Sequence, residues 1–360
     1  MNSHQTITLP IWPQAYGGPS GSGDIKTVPE DFIVEEILGF EPQGSGEHIF
    51  LFIEKIGENT EYVARLLARH AGVRQRDIGY AGLKDRHGRT KQWFSVWLPG
   101  KDEPNWRELE SDNLKMLQTT RHARKLKRGV LAGNRFEIVI RNWQGDREQT
   151  ERQLELIRQQ GFPNYFGEQR FGHGGKNLDK AIAMFRGQRV KPEQRSIYLS
   201  AARSLLFNAI LAERVENSTW NRALAGDVFM LDGSNSWFKA DNHDSVLPER
   251  LQQGDVHPTG ALFGVGASPA GDATALLEQG IIARYAEVAE GLLHSKVEAD
   301  RRALRIKVNR LDWDFERNDR LRLAFALPAG SYATTLIREI VAIRQSADGP
   351  ENLQPTVTES

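Results

Sequence analysis

The sequence of 360 residues contains no cysteine. Disulfides, thiolate nucleophiles, zinc ribbons and iron–sulfur clusters are excluded with it, and nothing calls for an oxidising compartment. There is also no excess of charge of one sign: Lys plus Arg number 47, and Asp plus Glu 47. That excludes a wholesale basic coat, but not a local basic groove. No run of apolar residues reaches membrane-spanning length, so no membrane association is expected. Residues 1–23 have no basic head followed by an apolar stretch, so no secretory signal is expected and the default address is the cytoplasm. Metal patterns are lacking too. There is no H-E-x-x-H, and the nine histidines do not cluster at ligand spacings, so no metal site is expected. Gly172-His173-Gly174-Gly175-Lys176-Asn177 lacks the first glycine of a phosphate loop and has Asn where a Mg²⁺-binding hydroxyl should stand. It reads as a plain turn.

What is present is globular. Hydrophobic residues make up 39% and charged residues 26%, and the length suits about two domains of roughly 150 residues. Residues 26–38 and 47–55 read as extended, the second with Ile49, Leu51 and Ile53 on one side. Asn59 or Thr60 caps a helix through His70, with Val63, Leu66 and Leu67 inward and Gly72 as the stop. Residues 78–83, 90–98, 114–120 and 135–141 follow as strands, the last with Phe136, Ile138 and Ile140 in phase. The texture then turns helical, with helices expected over Arg147–Gln160, 196–215 and 281–293. Strand alternation returns at Leu321, Leu323, Phe325 and Leu327. Gly330-Ser331 breaks the chain, a helix is expected from Ser331 through Ile343, and residues 345–360 read as a flexible tail. Strands, then helices, then strands suggest that the last elements rejoin the first sheet and leave the middle as an insertion.

Zero net charge hides local bias. Residues 65–91 carry eight basic side chains, opposed only by Asp77 and Asp85. Residues 121–141 carry seven against Glu137. The run Arg121-His122-Ala123-Arg124-Lys125-Leu126-Lys127-Arg128 lies between two strands, where a basic loop suits a phosphate backbone. A solvated basic face is the plain alternative. Aromatics such as Phe32, Trp93, Phe136, Tyr165 and Phe171 are interleaved with these charges. On strands such residues are core by default, yet beside basic loops they also suit base stacking. Asp85 stands out among the acids. It sits in a tight turn between Lys84 and Arg86, and neighbouring cations favour the ionised carboxylate, a possible nucleophile. Taken alone, an Asp that bonds its own turn is the better reading of the local sequence.

Gly79-Tyr80-Ala81-Gly82-Leu83-Lys84-Asp85-Arg86-His87-Gly88-Arg89-Thr90-Lys91-Gln92-Trp93 resembles the active-site motif of the TruD family of tRNA pseudouridine synthases. Lys26-Thr27-Val28-Pro29-Glu30-Asp31-Phe32 resembles the family's N-terminal motif, and Gly133-Asn134-Arg135-Phe136 its G-N-x-F block. Phe162-Pro163-Asn164-Tyr165-Phe166-Gly167-Glu168-Gln169-Arg170-Phe171-Gly172 resembles the start of the family's insertion. Leu199 to Ser204 and Leu327 to Ser331 match as well. Six blocks in order, spread over nearly the whole chain, are far more specific than any one of them.

The resemblance implies an α+β fold: a pseudouridine-synthase catalytic domain with a mixed, mainly antiparallel sheet, interrupted by an inserted α/β TRUD domain. The expected divisions are 1–159 and 307–344 for the catalytic domain, 160–306 for the insertion and 345–360 for the tail. It implies an isomerase (an intramolecular transferase) that converts uridine to pseudouridine in tRNA, at position 13 of the D arm, with no cofactor and no obligatory protein partner. By resemblance Asp85 is the catalytic carboxylate, and Phe32, Asn134 and the aromatic after Ser331 line the uridine pocket. That aromatic is Tyr332, where Phe is frequent, so its hydroxyl needs a partner. Lys26 is the candidate basic partner of Asp85, and Phe136 a further stacking candidate. Arg86, Arg124, Lys125, Lys127, Arg128 and Arg170 are candidates for RNA contact. Asn164, Tyr165, Gln169 and Phe171 could shape the junction of the two domains, and Arg203 and Asn208 are open between packing and function. The competing reading is a non-catalytic RNA-binding protein or RNA chaperone using the same basic cleft. A glycosidase-like hydrolase would need a second catalytic carboxylate, and no convincing partner acid stands out.

Overall fold

The structure is a computed structural model and describes residues 9–86, 88–240, 244–317 and 319–344. The tail expected over residues 345–360 lies outside the described residues, as does His87 of the Asp85 turn. The chain runs through β1 (Gly21–Asp24), β2 (Phe32–Leu38), β3 (His48–Ile56), α1 (Thr60–His70), β4 (Ile78–Tyr80), β5 (Arg89–Trp97), β6 (Leu114–His122) and β7 (Leu131–Gly145). Then come α2 (Arg147–Gln160), β8 (Phe162–Pro163), α3 (Lys176–Phe185), α4 (Pro192–Glu216), β9 (Val228–Leu231), β10 (Trp237–Lys239), α5 (Leu247–Gln253) and β11 (Val256–Leu262). The last elements are α6 (Asp272–Arg284), α7 (Ala286–His294), β12 (Asp300–Ala303), β13 (Arg305–Ile306), β14 (Asn309–Glu316), β15 (Arg320–Pro328), α8 (Ala333–Ile337) and β16 (Val341–Ile343).

Period-two alternation builds the main sheet. Its order is β14-β15-β7-β2-β5-β3-β6, with β1 on β7 and β16, and β4 on β5. Only β2–β5 and β1–β16 are parallel, so the fold is α+β around a mixed, mainly antiparallel sheet. Phe136, Ile138 and Ile140 on β7 and Leu321, Leu323, Phe325 and Leu327 on β15 all point into one core under α2 and α8. In the other half, Ile49, Leu51, Ile53, Phe94 and Val96 meet Val63, Ala64 and Leu67 of α1. Burying each such side chain is worth about 1.5–3 kcal/mol, which is why pattern dictates register here.

The helix α2 has the bounds its sequence implies. Asp146 caps it by accepting from the Gln149 amide at 2.9 Å. Gly161 ends it at φ +78°, where a side chain would collide with the Ile306 carbonyl. There β8 pairs with β13, Phe162 beside Ile306 and Pro163 beside Arg305. Between these two strands lie α3 to α7 and a four-stranded sheet, β10-β9-β11-β12. The long α4 is buried at Ala201, Ala202, Leu205, Leu206 and Phe207.

Three expectations need correction. Residues 26–31 are not strand: Lys26 is left-handed at φ +57°, and Pro29–Asp31 form a 3-10 turn. Proline at its first position and the buried Asp31, which accepts from Arg141 at 2.7 and 2.8 Å, hold that turn. The helix expected over 281–293 is two helices that part at Tyr285, and the first begins at Asp272. The break lets α7 lay Gly291 on the Phe185 ring, where a Cβ would clash, while α6 packs on α4. Finally, the helix expected from Ser331 to Ile343 covers only Ala333–Ile337. Val341, Ala342 and Ile343 instead pair with Gly21, Ser22 and Gly23. An open sheet edge rewards β-branched residues more than helical periodicity does.

The end of this segment carries a titratable core group. Glu339 is buried, and its Oε2 accepts from the Ala15 amide at 2.7 Å. Its Oε1 has no hydrogen-bond partner. Burial pushes its carboxyl up to about 7. Between the ordinary carboxylate range and pH 7 the folded chain keeps a proton that the unfolded chain has released. Stability therefore falls as pH rises through that window. Glu339→Gln is expected to raise the melting temperature at pH 8, by an effect worth up to about 3 kcal/mol, and to change it little at pH 4. Thermal denaturation at both pH values checks this; equal shifts would contradict it.

Candidate active site

The sheet places a row of side chains on one face. Antiparallel register sets Glu36 opposite Asn134 and Asn134 opposite Leu327. The next row is Val34, Phe136 and Phe325, and the next begins with Phe32 and Ile138. Phe136 stacks on Phe325 with ring centroids 5.4 Å apart and meets Phe32 edge-on at 6.4 Å. The Asn134 Oδ1 is buried without a hydrogen-bond partner. A buried acceptor left unmade costs about 1–3 kcal/mol, so this atom is suited to a donor brought from outside.

Over this face runs the turn of residues 81–88. Lys84 donates its ammonium to Glu36 at 2.8 Å, with the Glu36 side chain fully buried. The Lys84 amide donates to the Thr60 hydroxyl at 3.1 Å. Thr60 in turn donates to Gln92 Oε1 at 2.9 Å, and the Gln92 amide donates to the Gly82 carbonyl at 2.7 Å. Arg86 points away and donates to the Gly57 carbonyl at 3.0 Å. Gly88 passes so close to the Phe32 carbonyl that a Cβ would sit 2.5 Å from it. The turn is thus tied to β2, β5 and α1 at once. Asn59 stands at the cap position of α1 without a side-chain cap bond, and the Thr60 hydroxyl serves the turn instead.

Asp85 projects from this turn onto the Lys26 ammonium, with which it forms an ion pair. Both side chains are about a third exposed, so solvent reaches them. The Lys26 ammonium also lies 4.4 Å over the Phe32 ring. Left-handed φ at a lysine is strained, on the order of 1–3 kcal/mol, and such strain concentrates at functional sites. Lys55 stands behind the pair, buried, donating to the Glu58 carbonyl at 2.8 Å. Burial pulls its ammonium down to about 8, and the charge of Lys84 adds to that; Asp85, Glu36 and Glu58 pull it back up. The carboxylate therefore sits among cations on a fixed support.

The other expected residues divide into groups. Tyr332 is buried, and its hydroxyl accepts from Arg170 Nε at 3.1 Å and Nη2 at 2.9 Å, which supplies the partner a phenol needs there. Arg170 donates also to Ser200 at 2.9 Å. Tyr165 and Phe171 are core, and Gln169 is exposed. Asn164 donates to the Ala303 carbonyl and accepts from Arg302. Asn208 clasps both backbone polar groups of Phe166, and Arg203 donates to the carbonyls of Leu262 and Glu298. Arg124, Lys127 and Arg128 are exposed on the β6–β7 loop. Leu126 anchors that loop by its buried side chain and its amide bond to Ser95 at 3.0 Å, and Lys125 donates to the Arg76 carbonyl. Among the described residues no group of acids and histidines could hold a metal ion, and no helix is long and apolar enough to cross a membrane.

Glu36, Lys55, Thr60 and Gln92 were not among the expected site residues. Glu36 is in phase with Phe32 and Val34, and Lys55 with Ile49, Leu51 and Ile53. A charged residue at an inward strand position was the available signal, since it must find a buried partner. The basic loop yields a direct test. Replacing Lys125, Lys127 and Arg128 with Ala is expected to weaken tRNA binding and to flatten its salt dependence, by up to about 0.9 in log–log slope for each phosphate the loop neutralises. Unchanged binding at every ionic strength would take the loop out of the interface.

Comparison with known proteins adds to this geometry. A solved structure described as tRNA pseudouridine synthase D (TruD) from Methanosarcina mazei superposes with a TM-score of 0.72, covering 92% of this chain and 96% of that one. At 22% identity it speaks for the fold alone. A curated tRNA pseudouridine synthase D from Methylococcus capsulatus is 52% identical over 91% of this chain and 94% of its own length. One from Nitrosococcus oceani is 47% identical over 93% and 96%. The class so defined is the pseudouridine synthases, isomerases that act on RNA. The family model described as tRNA pseudouridine synthase D (TruD) matches residues 15–178 and 174–340, and the chain belongs to that family.

Proposed function

We propose that this protein isomerises uridine to pseudouridine in tRNA, at position 13 of the D arm, with Asp85 as the catalytic carboxylate. The observation that carries the reading is the Asp85–Lys26 pair, set on a turn that the Lys84–Glu36 pair ties to the strand position opposite Asn134, whose acceptor is unpartnered. In the reaction the C1′–N1 bond breaks, the uracil turns and C1′ bonds C5. The C5 proton leaves and N1 gains one, so no oxidant or reductant is needed. Addition to the base, attack on the sugar and removal of a sugar proton all require an ionised, positioned carboxylate. An ammonium partner on a preorganised support favours that state.

The uridine must leave its stack, which costs a few kcal/mol. Aromatic stacking returns roughly 1–3 kcal/mol per base. Phe32 and Tyr332 line the proposed pocket, and Phe136 backs Phe32. Asn134 offers an acceptor to the uracil N3–H. Arg86, Arg124, Lys125, Lys127, Arg128 and Arg170 are the proposed RNA contacts. We read residues 1–159 and 307–344 as the catalytic domain and 160–306 as the insertion. In support, both flanks build the ten-stranded sheet and the two connecting segments pair as β8 and β13. The proposed compartment is the cytoplasm, where the substrate is found.

The test is to incubate unmodified tRNA with the protein and resolve the nucleosides after digestion. Pseudouridine approaching one per tRNA is expected. Binding without any new nucleoside would instead favour the chaperone reading, and released free uracil a hydrolase.

A further inference from the structure

We propose that Arg302 and Arg170 form a phosphate subsite that grips the RNA backbone next to the extruded nucleotide. Arg302, on β12, donates through Nη2 to Asn164 Oδ1 at 2.6 Å and to the Gly330 carbonyl at 3.0 Å. Its guanidinium lies 4.2 Å over the Phe166 ring. Arg170 approaches the same ring at 5.4 Å. Two cations thus share one aromatic platform, both half-buried. Among the described residues neither forms an ion pair with a carboxylate, and the buried Nε of Arg302 has no hydrogen-bond partner.

The contrast with the rest of that unit is informative. The buried Arg214 is paired with Asp227 at 2.7 Å, and the buried Arg301 with Glu278 at 2.7 Å. Where this fold buries a guanidinium for structure alone, it supplies an acid or, at the buried Arg305, satisfies the nitrogens on the His257 ring and the Leu251 and Val256 carbonyls. At Arg302 it supplies a second cation instead, and burial together with the Arg170 charge pulls the Arg302 guanidinium down to about 10. Like charges partly withdrawn from water repel, and an anion between them would relieve the repulsion. The planar fork of arginine suits phosphate oxygens, which it can take two at a time. Neutral base edges would not offset the charge.

Position names the phosphate. Arg302 holds the Gly330 carbonyl and Arg170 holds the Tyr332 hydroxyl, so the two flank the loop of residues 330–332 from both ends. An anion bound there belongs to the nucleotide whose base reaches Tyr332, and to that extent the inference rests on the proposed uridine pocket. Arg302 is new to the site, and it turns Arg170 from a general RNA contact into half of a defined subsite.

The test is a double cycle between protein and RNA. Synthetic tRNAs carry a neutral methylphosphonate at single linkages on either side of the target uridine. Wild-type binding is expected to weaken roughly tenfold at one of these linkages, with the salt slope flattened by a little under one. Arg302→Gln, which keeps a polar side chain but removes the charge, should show that loss on unmodified tRNA and no further loss at the same linkage. Arg302→Lys should restore the salt slope. Wild-type slope in Arg302→Gln, or losses that simply add, would overturn the subsite. If Arg302→Gln does not fold, the wild type still decides: indifference to every flanking linkage overturns it, and with one sensitive linkage Arg170→Gln takes its place in the cycle. Pseudouridine is measured on the same RNAs. Its absence with wild-type protein would sink the catalytic reading, whereas its presence with additive losses would sink only the subsite.

Discussion

Asp85→Asn is expected to lower pseudouridine formation by on the order of 10⁴-fold or more while leaving tRNA affinity within a few-fold of wild type. The substitution keeps the shape of the side chain and an oxygen that can still accept from the Lys26 ammonium. The turn beneath it is held by Lys84, Gly82 and Arg86 through bonds that do not involve residue 85, so it should stay in place. Only the charge is removed, and each available chemical route needs that charge. The proposed phosphate contacts lie on other elements, so RNA affinity should persist. Quantifying pseudouridine and tRNA binding for the two proteins side by side checks this. Equal product from both would remove Asp85 from the chemistry.

Glu36→Ala is expected to have the second largest effect, on stability and rate together. The Glu36 carboxylate accepts from the Lys84 ammonium at 2.8 Å and from the Trp93 amide at 2.8 Å, with no exposure of its own. Removing it strands the buried Lys84 charge, which costs about 3–5 kcal/mol. It also loosens the turn that presents Asp85. Glu36 acts through Lys84, so it is a positioning residue. Urea denaturation should show the lost stability. At temperatures where the variant is folded, kcat should fall more than KM rises. Glu36→Gln, which can keep the Trp93 bond, should recover part of the stability and less of the rate. Full activity in folded Glu36→Ala would show that the turn needs no such support.

Much of this was legible in the sequence because alternation is a local code. Phe136, Ile138 and Ile140, and the four apolar residues of β15, all face the core that their phase implies. Arg147–Gln160 is bounded by an Asp cap and a left-handed Gly, both written at its ends. What was not legible depends on distant partners. The strand at Val341–Ile343 exists because Gly21–Gly23 offers an edge more than 300 residues earlier in the chain. Lys26 reads as part of a strand until the ion pair with Asp85 and the 3-10 turn after it fix its backbone. Glu36 does not stand out because its partner lies 48 positions away, across a parallel pairing of β2 and β5 that no local pattern announces. The motif blocks point to Asp85, Asn134 and Tyr332 but not to the polar residues that pack beneath the Asp85 turn. Those supports sit in strands whose alternation otherwise reads as ordinary core.

The most direct measurement is a crystal structure of Asp85→Asn bound to its tRNA. The uridine is expected out of its helix, with the ring against Phe32 and Tyr332, N3–H on Asn134 and the glycosidic carbon within contact distance of residue 85. A tRNA docked with that uridine still stacked, or with residue 85 facing solvent away from the ribose, would contradict the account.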